Sequence, residues 1–173
     1  MKRILASVGL LAATVLMLGP DLQACGDKSL SAGGIRMQRA MAARNPASVL
    51  MYAPAASRLN EATQKLKLQR TLLQFGHKYR EVVSWAEFQD SIASGQYNLV
   101  LADVADLVEV QQKLESASSS AIVVPVAYKL TKAEIKELEK QCRFLIKAPS
   151  RQLQYLNVIH TALEARSTIP RRS

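Results

Sequence analysis

Beyond Pro46 the chain alternates short apolar runs with longer segments whose apolar residues recur at helical spacing. Val49-Leu50-Met51-Tyr52-Ala53, bounded by Pro46 and Pro54, reads as a buried strand. Ser57 then caps a helix in which Leu59, Ala62, Leu66 and Leu73 recur at steps of three, four and seven, with Gly76 as its stop. A second strand is predicted over Tyr79–Ser84 and a helix over Trp85–Ser94, stopped by Gly95. Leu99–Ala102 reads as a third strand and Asp106–Glu115 as a third helix. Ala121–Val124 reads as a fourth strand, with Pro125 ending regular pairing and leaving Pro125–Tyr128 as a loop or bulge. Thr131 caps a helix to about Gln141, Phe144–Ile146 is a fifth strand, and Arg151–Arg166 is a last helix.

Five apolar strands alternating with five helices predict a parallel sheet covered on both faces, hence an α/β, doubly wound, five-stranded sandwich. With 173 residues the chain suits one compact domain, placed here at 47–166. Residues 25–46, with Gly26, Gly33, Gly34 and Pro46, read as an arm lying on that domain, with a short helix around Arg36–Arg44, and 167–173 as a flexible basic tail.

The first 24 residues have a different pattern. Lys2 and Arg3 precede an apolar run from Ile4 to Leu18, and Gly19-Pro20 breaks it before Ala24. A basic start, a short apolar middle and a small residue before the cut describe a signal peptide, too short for the roughly 20 residues of a membrane span. The mature chain then starts at Cys25, in a periplasmic or other extracytoplasmic space. Two fates are open to Cys25. Leu22, Ala24 and Cys25 resemble a bacterial lipoprotein box, although Gln23 fits it poorly, and acylation would anchor the chain to the membrane. Otherwise Cys25 meets Cys142, the only other cysteine, in a disulfide whose loop closure is worth roughly 3–5 kcal/mol.

Charge is unevenly placed. Residues 25–80 hold ten Lys or Arg against Asp27 and Glu61, while residues 81–173 hold eleven of each sign. The face carrying Lys65, Lys67 and Arg70, shared with Thr63 and Gln74 and joined by Arg36, Arg39 and Arg44 from the arm, suits an anionic membrane surface or an acidic protein. Nucleic acid is excluded by export and by the scarcity of aromatic residues, 5% of the chain. Two cysteines and two histidines supply metal chemistry poorly, and Met37, Met41 and Met51 fit packing better than soft-metal binding. Neither a glycine-rich phosphate loop nor a nucleophile signature is present, so no cofactor and no catalytic residue is assigned. His77 after Gly76 reads as exposed and His160 as a boundary residue.

Two strands carry a family likeness. Tyr97-Asn98-Leu99-Val100-Leu101-Ala102-Asp103 resembles the strand of two-component receiver domains that ends in the phosphate-accepting aspartate. Phe144-Leu145-Ile146-Lys147, with Ala148 inserted before Pro149, resembles the strand that ends in the family's lysine. The likeness covers about residues 48–166 and implies a flavodoxin-like, receiver-like three-layer sandwich. It also implies what has been lost. Receivers hold Mg²⁺ with an acidic pair after the first strand, where this chain has Ala53-Pro54-Ala55. They bind the phosphoryl oxygen through Ser or Thr at the end of the fourth strand, where this chain has Val126 and Ala127. The resemblance therefore implies a pseudo-receiver that is not phosphorylated and is not an enzyme. Asp103 and Lys147 are expected to form a buried structural ion pair, costly to break from one side by roughly 3–5 kcal/mol.

By analogy with the family's partner-binding face, Lys132, Lys136, Arg143, Arg151, Gln152 and Tyr155 are the expected contacts with a protein partner in the cell envelope. A lipid-anchored envelope protein and a thiol-redox or small-ligand-binding protein are the alternative readings. No oligomeric state follows from the residues.

Overall fold

The structure, a computed structural model, describes residues 46–167 together with Arg36, Met37 and Ala40. The leader, Cys25 with both of its fates, Arg39 and Arg44, most of the arm and the basic tail lie outside the described residues. In chain order the elements are β1 (Ser48–Tyr52), α1 (Leu59–Gln64), α2 (Leu68–Gln74), β2 (Lys78–Val82), α3 (Trp85–Ala93), β3 (Leu99–Asp103), a 3-10 turn (Val104–Asp106), α4 (Leu107–Ser116), β4 (Ile122–Tyr128), α5 (Lys132–Gln141), β5 (Ile146–Ala148) and α6 (Gln152–Ser167). All strand pairs are parallel, in the order β2-β1-β3-β4-β5.

Alternation along β1 and β3 explains the layering. Val49, Met51, Leu99 and Leu101 face one way, against Leu59, Leu68 and Leu72 of α1 and α2 and Tyr155, Leu156 and Ile159 of α6. Leu50, Tyr52, Val100 and Ala102 face the other way, against Phe88 and Ile92 of α3 and Val110 and Leu114 of α4. Both faces of the central strands are buried, so their sequence is an unbroken apolar run, and the doubly wound, flavodoxin-like sandwich follows.

Several local expectations are corrected. The single helix after Ser57 is two helices, because Lys67 takes a left-handed conformation at φ 49°. The step from Leu66 to Leu68 cannot stay on one helical stripe, and the break resets the phase so that Leu68 and Leu72 turn inward while Leu73 is 53% exposed. The continuous basic face falls with it: Thr63 is buried, Lys67 is the break itself and Arg70 stands beyond it.

β4 does not stop at Val124 but runs through Pro125, which pairs with Ala102. Pairing with β5 begins only at Val126↔Ile146, so β4 has a strand neighbour on one side alone at Pro125. A residue without an N–H is tolerated at such an edge. β5 lies two residues later than its apolar run suggests, over Ile146–Ala148, while Phe144 packs on the core from the preceding loop. β2 is an edge strand whose Val82 alone is buried, and Ser84, expected within it, instead accepts the Glu87 N–H and caps α3.

His77 is buried rather than exposed, and His160, expected at the boundary, is buried too. Gly76 sits at φ 82° after α2, the Gly76 N–H bonds the Leu73 carbonyl, and the His77 N–H bonds the Leu72 carbonyl. In this Schellman turn the residue after the glycine folds back against the helix, which carries His77 inward.

Candidate functional site

In a doubly wound sheet of this order, crevices form beyond the carboxyl ends of the strands, where β1 and β3 send their chains to opposite faces. A hollow of about 970 Å³ opens there, between the segments that follow β1 and β3, the end of β4, and α5. α5 begins with a capping box: Thr131 Oγ1 accepts the Glu134 N–H at 3.3 Å while the Glu134 carboxylate accepts the Thr131 N–H at 2.7 Å. Its inner residues Ile135 and Leu138 are only half-buried, and among α1–α6 it alone buries no side chain. The hollow lies between this helix and the ends of the strands.

Asp103 ends β3 at the rim. Its Oδ1 accepts the Ala105 N–H at 3.1 Å, capping the 3-10 turn, and its Oδ2 accepts the Ser57 hydroxyl at 3.3 Å. The N-cap of α1 is Arg58, without a side-chain cap, rather than the expected Ser57; Ser57 Oγ, one position earlier, accepts the Leu59 N–H at 3.1 Å and so ties the start of α1 to β3. The expected Asp103–Lys147 pair is not formed. Lys147 Nζ pairs with Glu139 of α5 on an exposed part of β5, while Asp103 is half-buried. The cause is Glu139, which supplies a carboxylate on the next helix and keeps the lysine at the surface.

Asp106 follows one turn later. Burial, then Asp103 and then Glu109, push its carboxyl above the ordinary range. Among the described residues none of these three carboxylates has an ion-pair partner. Glu61 of α1 has the opposite surroundings. The Tyr128 hydroxyl, Lys65 and Lys129 hold its carboxyl down at about 2, with Nζ to Oε1 distances of 3.1 Å for Lys65 and 3.2 Å for Lys129. Lys129 also lies 4.8 Å over the Tyr128 ring. This cluster joins residues 68 positions apart and carries no local sequence signal.

The other expected site residues scatter. Lys132 and Lys136 are exposed on α5, Arg143 stacks 5.3 Å from the Phe144 ring, and Arg151 is exposed before α6. Gln152 Nε2 donates to the Leu66 carbonyl at 2.6 Å. Tyr155 is fully buried and so leaves the expected partner face. Of the basic face, Lys65 is paired to Glu61, and Lys67 and Arg70 are exposed. Cys142 is half-buried and has no disulfide partner among the described residues, and burial raises its thiol pKa, the reverse of what activates a redox cysteine.

Among the described residues no group of three or more His, Cys, Asp or Glu could hold a metal ion, and no helix is long and apolar enough to cross a membrane. Comparison with known proteins finds no matching family model, no matching curated protein and no matching solved structure.

Proposed function

We propose that this chain is a non-catalytic, receiver-like module of the cell envelope that acts by protein–protein contact and does not take up phosphate at Asp103. One observation carries the reading: the side chains around Asp103. After β1 stands Ala53-Pro54-Ala55, where a divalent ion beside Asp103 would need carboxylate oxygens. Val126 and Ala127 of β4 offer no hydroxyl, and Lys147 is turned to Glu139. Phosphoryl transfer needs several such groups to neutralise charge in the transition state, and beside Asp103 the edge supplies only the Ser57 hydroxyl and the Asp106 carboxylate, with no lysine, no β4 hydroxyl and no carboxylate after β1. The leader-like first 24 residues support the extracytoplasmic placement. What the edge does supply is an open hollow with an apolar wall, a binding surface rather than a reactive one.

The test is incubation of the full chain with Mg²⁺ and acetyl phosphate, followed by intact-mass measurement. An unchanged mass is expected. Gain of one phosphoryl group, lost on Asp103→Asn, overturns the reading.

A further inference from the structure

We propose that the hollow at the carboxyl edge receives a segment of a partner protein that presents a lysine or arginine beside bulky apolar side chains. The inference rests on the reading above and names the chemistry of the partner.

The first support is the unfinished face of α5. A helix in a compact domain buries an apolar stripe, yet α5 leaves Ile135 and Leu138 half-buried. Pro54, Val104, Leu130, Ala133 and Leu138 give the hollow an apolar wall drawn from three separate parts of the chain. Its lining follows α5 from Ala133 to Leu138, a stretch against which an amphipathic segment can be laid.

The second support is charge. Asp103 and Asp106 both line the hollow, Asp106 is repelled by Asp103 and then by Glu109, and no cation of the described chain is paired to any of the three. The start of α4 offsets part of this repulsion through its backbone N–H groups. A cation set between Asp103 and Asp106 relieves the rest, and an anion there adds to it. The remaining acids of the rim are engaged, Glu134 in its cap and Glu137 with Lys140 at 2.7 Å. Arg58 and Lys136 bring positive charge to other points of the rim, which fixes the direction in which a charged segment lies.

Two synthetic 14-residue peptides test this (a length of about four helical turns). They share one leucine spacing, and one carries lysines where the other carries glutamates. Each is titrated into the full chain and followed by calorimetry at low salt and at physiological salt. The lysine peptide is expected to bind at least about tenfold more tightly than the glutamate peptide and to weaken as salt rises. Asp106→Asn is expected to weaken the lysine peptide roughly fivefold. Ala133→Arg, at an exposed position on α5, should abolish binding with the circular dichroism spectrum unchanged. Equal binding of the two peptides, no binding of either, or indifference to both variants overturns the proposal. None of these results bears on phosphate uptake at Asp103, so failure here leaves the pseudo-receiver reading standing.

Discussion

Nε2 of His77 and Nε2 of His160 lie 3.2 Å apart in the core, joining the turn after α2 to the middle of α6. The Ala47 N–H donates to His77 Nδ1 at 3.1 Å, so the neutral His77 ring carries its proton on Nε2 and donates it to His160. His160 then keeps its proton on Nδ1, a buried atom with no hydrogen-bond partner in the structure. The pair works only when both rings are neutral.

Acid should therefore destabilise the fold. Burial and then His160 lower His77 from 6.5 to about 4, and burial lowers His160 against the opposing pull of Glu164. Both folded pKa values lie below those of the unfolded chain, so the unfolded state binds more protons. The stability is fully present above about pH 6.5 and is lost as pH falls toward 4, by about 3 kcal/mol for His77 alone. Urea midpoints at pH 7.5, 5.5 and 4.5 check this. His77→Phe should flatten the dependence, and an equally steep loss in that variant would place its origin elsewhere.

Tyr155 is fully buried, 0% exposed, and its hydroxyl has no partner among the described residues. Tyr155→Phe removes an unsatisfied polar atom and should be neutral or raise stability by up to about 1 kcal/mol. Tyr155→Ala should cost about 3–5 kcal/mol through the cavity it leaves. Denaturant melts of the two variants decide, and a loss above about 1 kcal/mol for the phenylalanine variant would mean that the hydroxyl has a partner.

Lys67 at φ 49° occupies a region that costs a non-glycine residue about 1–2 kcal/mol. Lys67→Gly should stabilise the chain by up to about 1 kcal/mol after the added freedom of the unfolded chain is set against it. Thermal melting measures the gain. A drop instead would show that α1 and α2 run on as one helix.

Asp103→Asn should cost less than about 1 kcal/mol, since the amide oxygen still accepts one of the two hydrogen bonds and no buried ion pair is broken. A loss of about 3 kcal/mol or more would restore the ion pair inferred from sequence.

The strands that could be read directly are those buried on both faces. β1 and β3 carry no polar residue until Asp103 apart from Ser48 at the start, and their bounds lie within a residue or two of the apolar runs. β2 and β5 were harder to place because edge strands need little apolar sequence, and β5 is three residues long. Pro125 misled because what matters is which side of the strand lacks a neighbour, and that depends on where β5 starts. His77 was legible in principle, as the residue after the glycine of a Schellman turn, but its partner is 83 positions away. The hollow had no signature, since its walls come from residues as distant as Pro54 and Leu138.

The two ends of the sheet bear on assembly. β2 turns Lys78, Arg80 and Glu81 outward along one border, and β5 offers only three residues along the other. Neither border is a good template for a further strand, because charge discourages annealing at one and brevity does so at the other. The fold thus resists edge-to-edge polymerisation and disfavours recognition by β-augmentation, leaving side-chain surfaces as the natural ground on which another molecule can meet it.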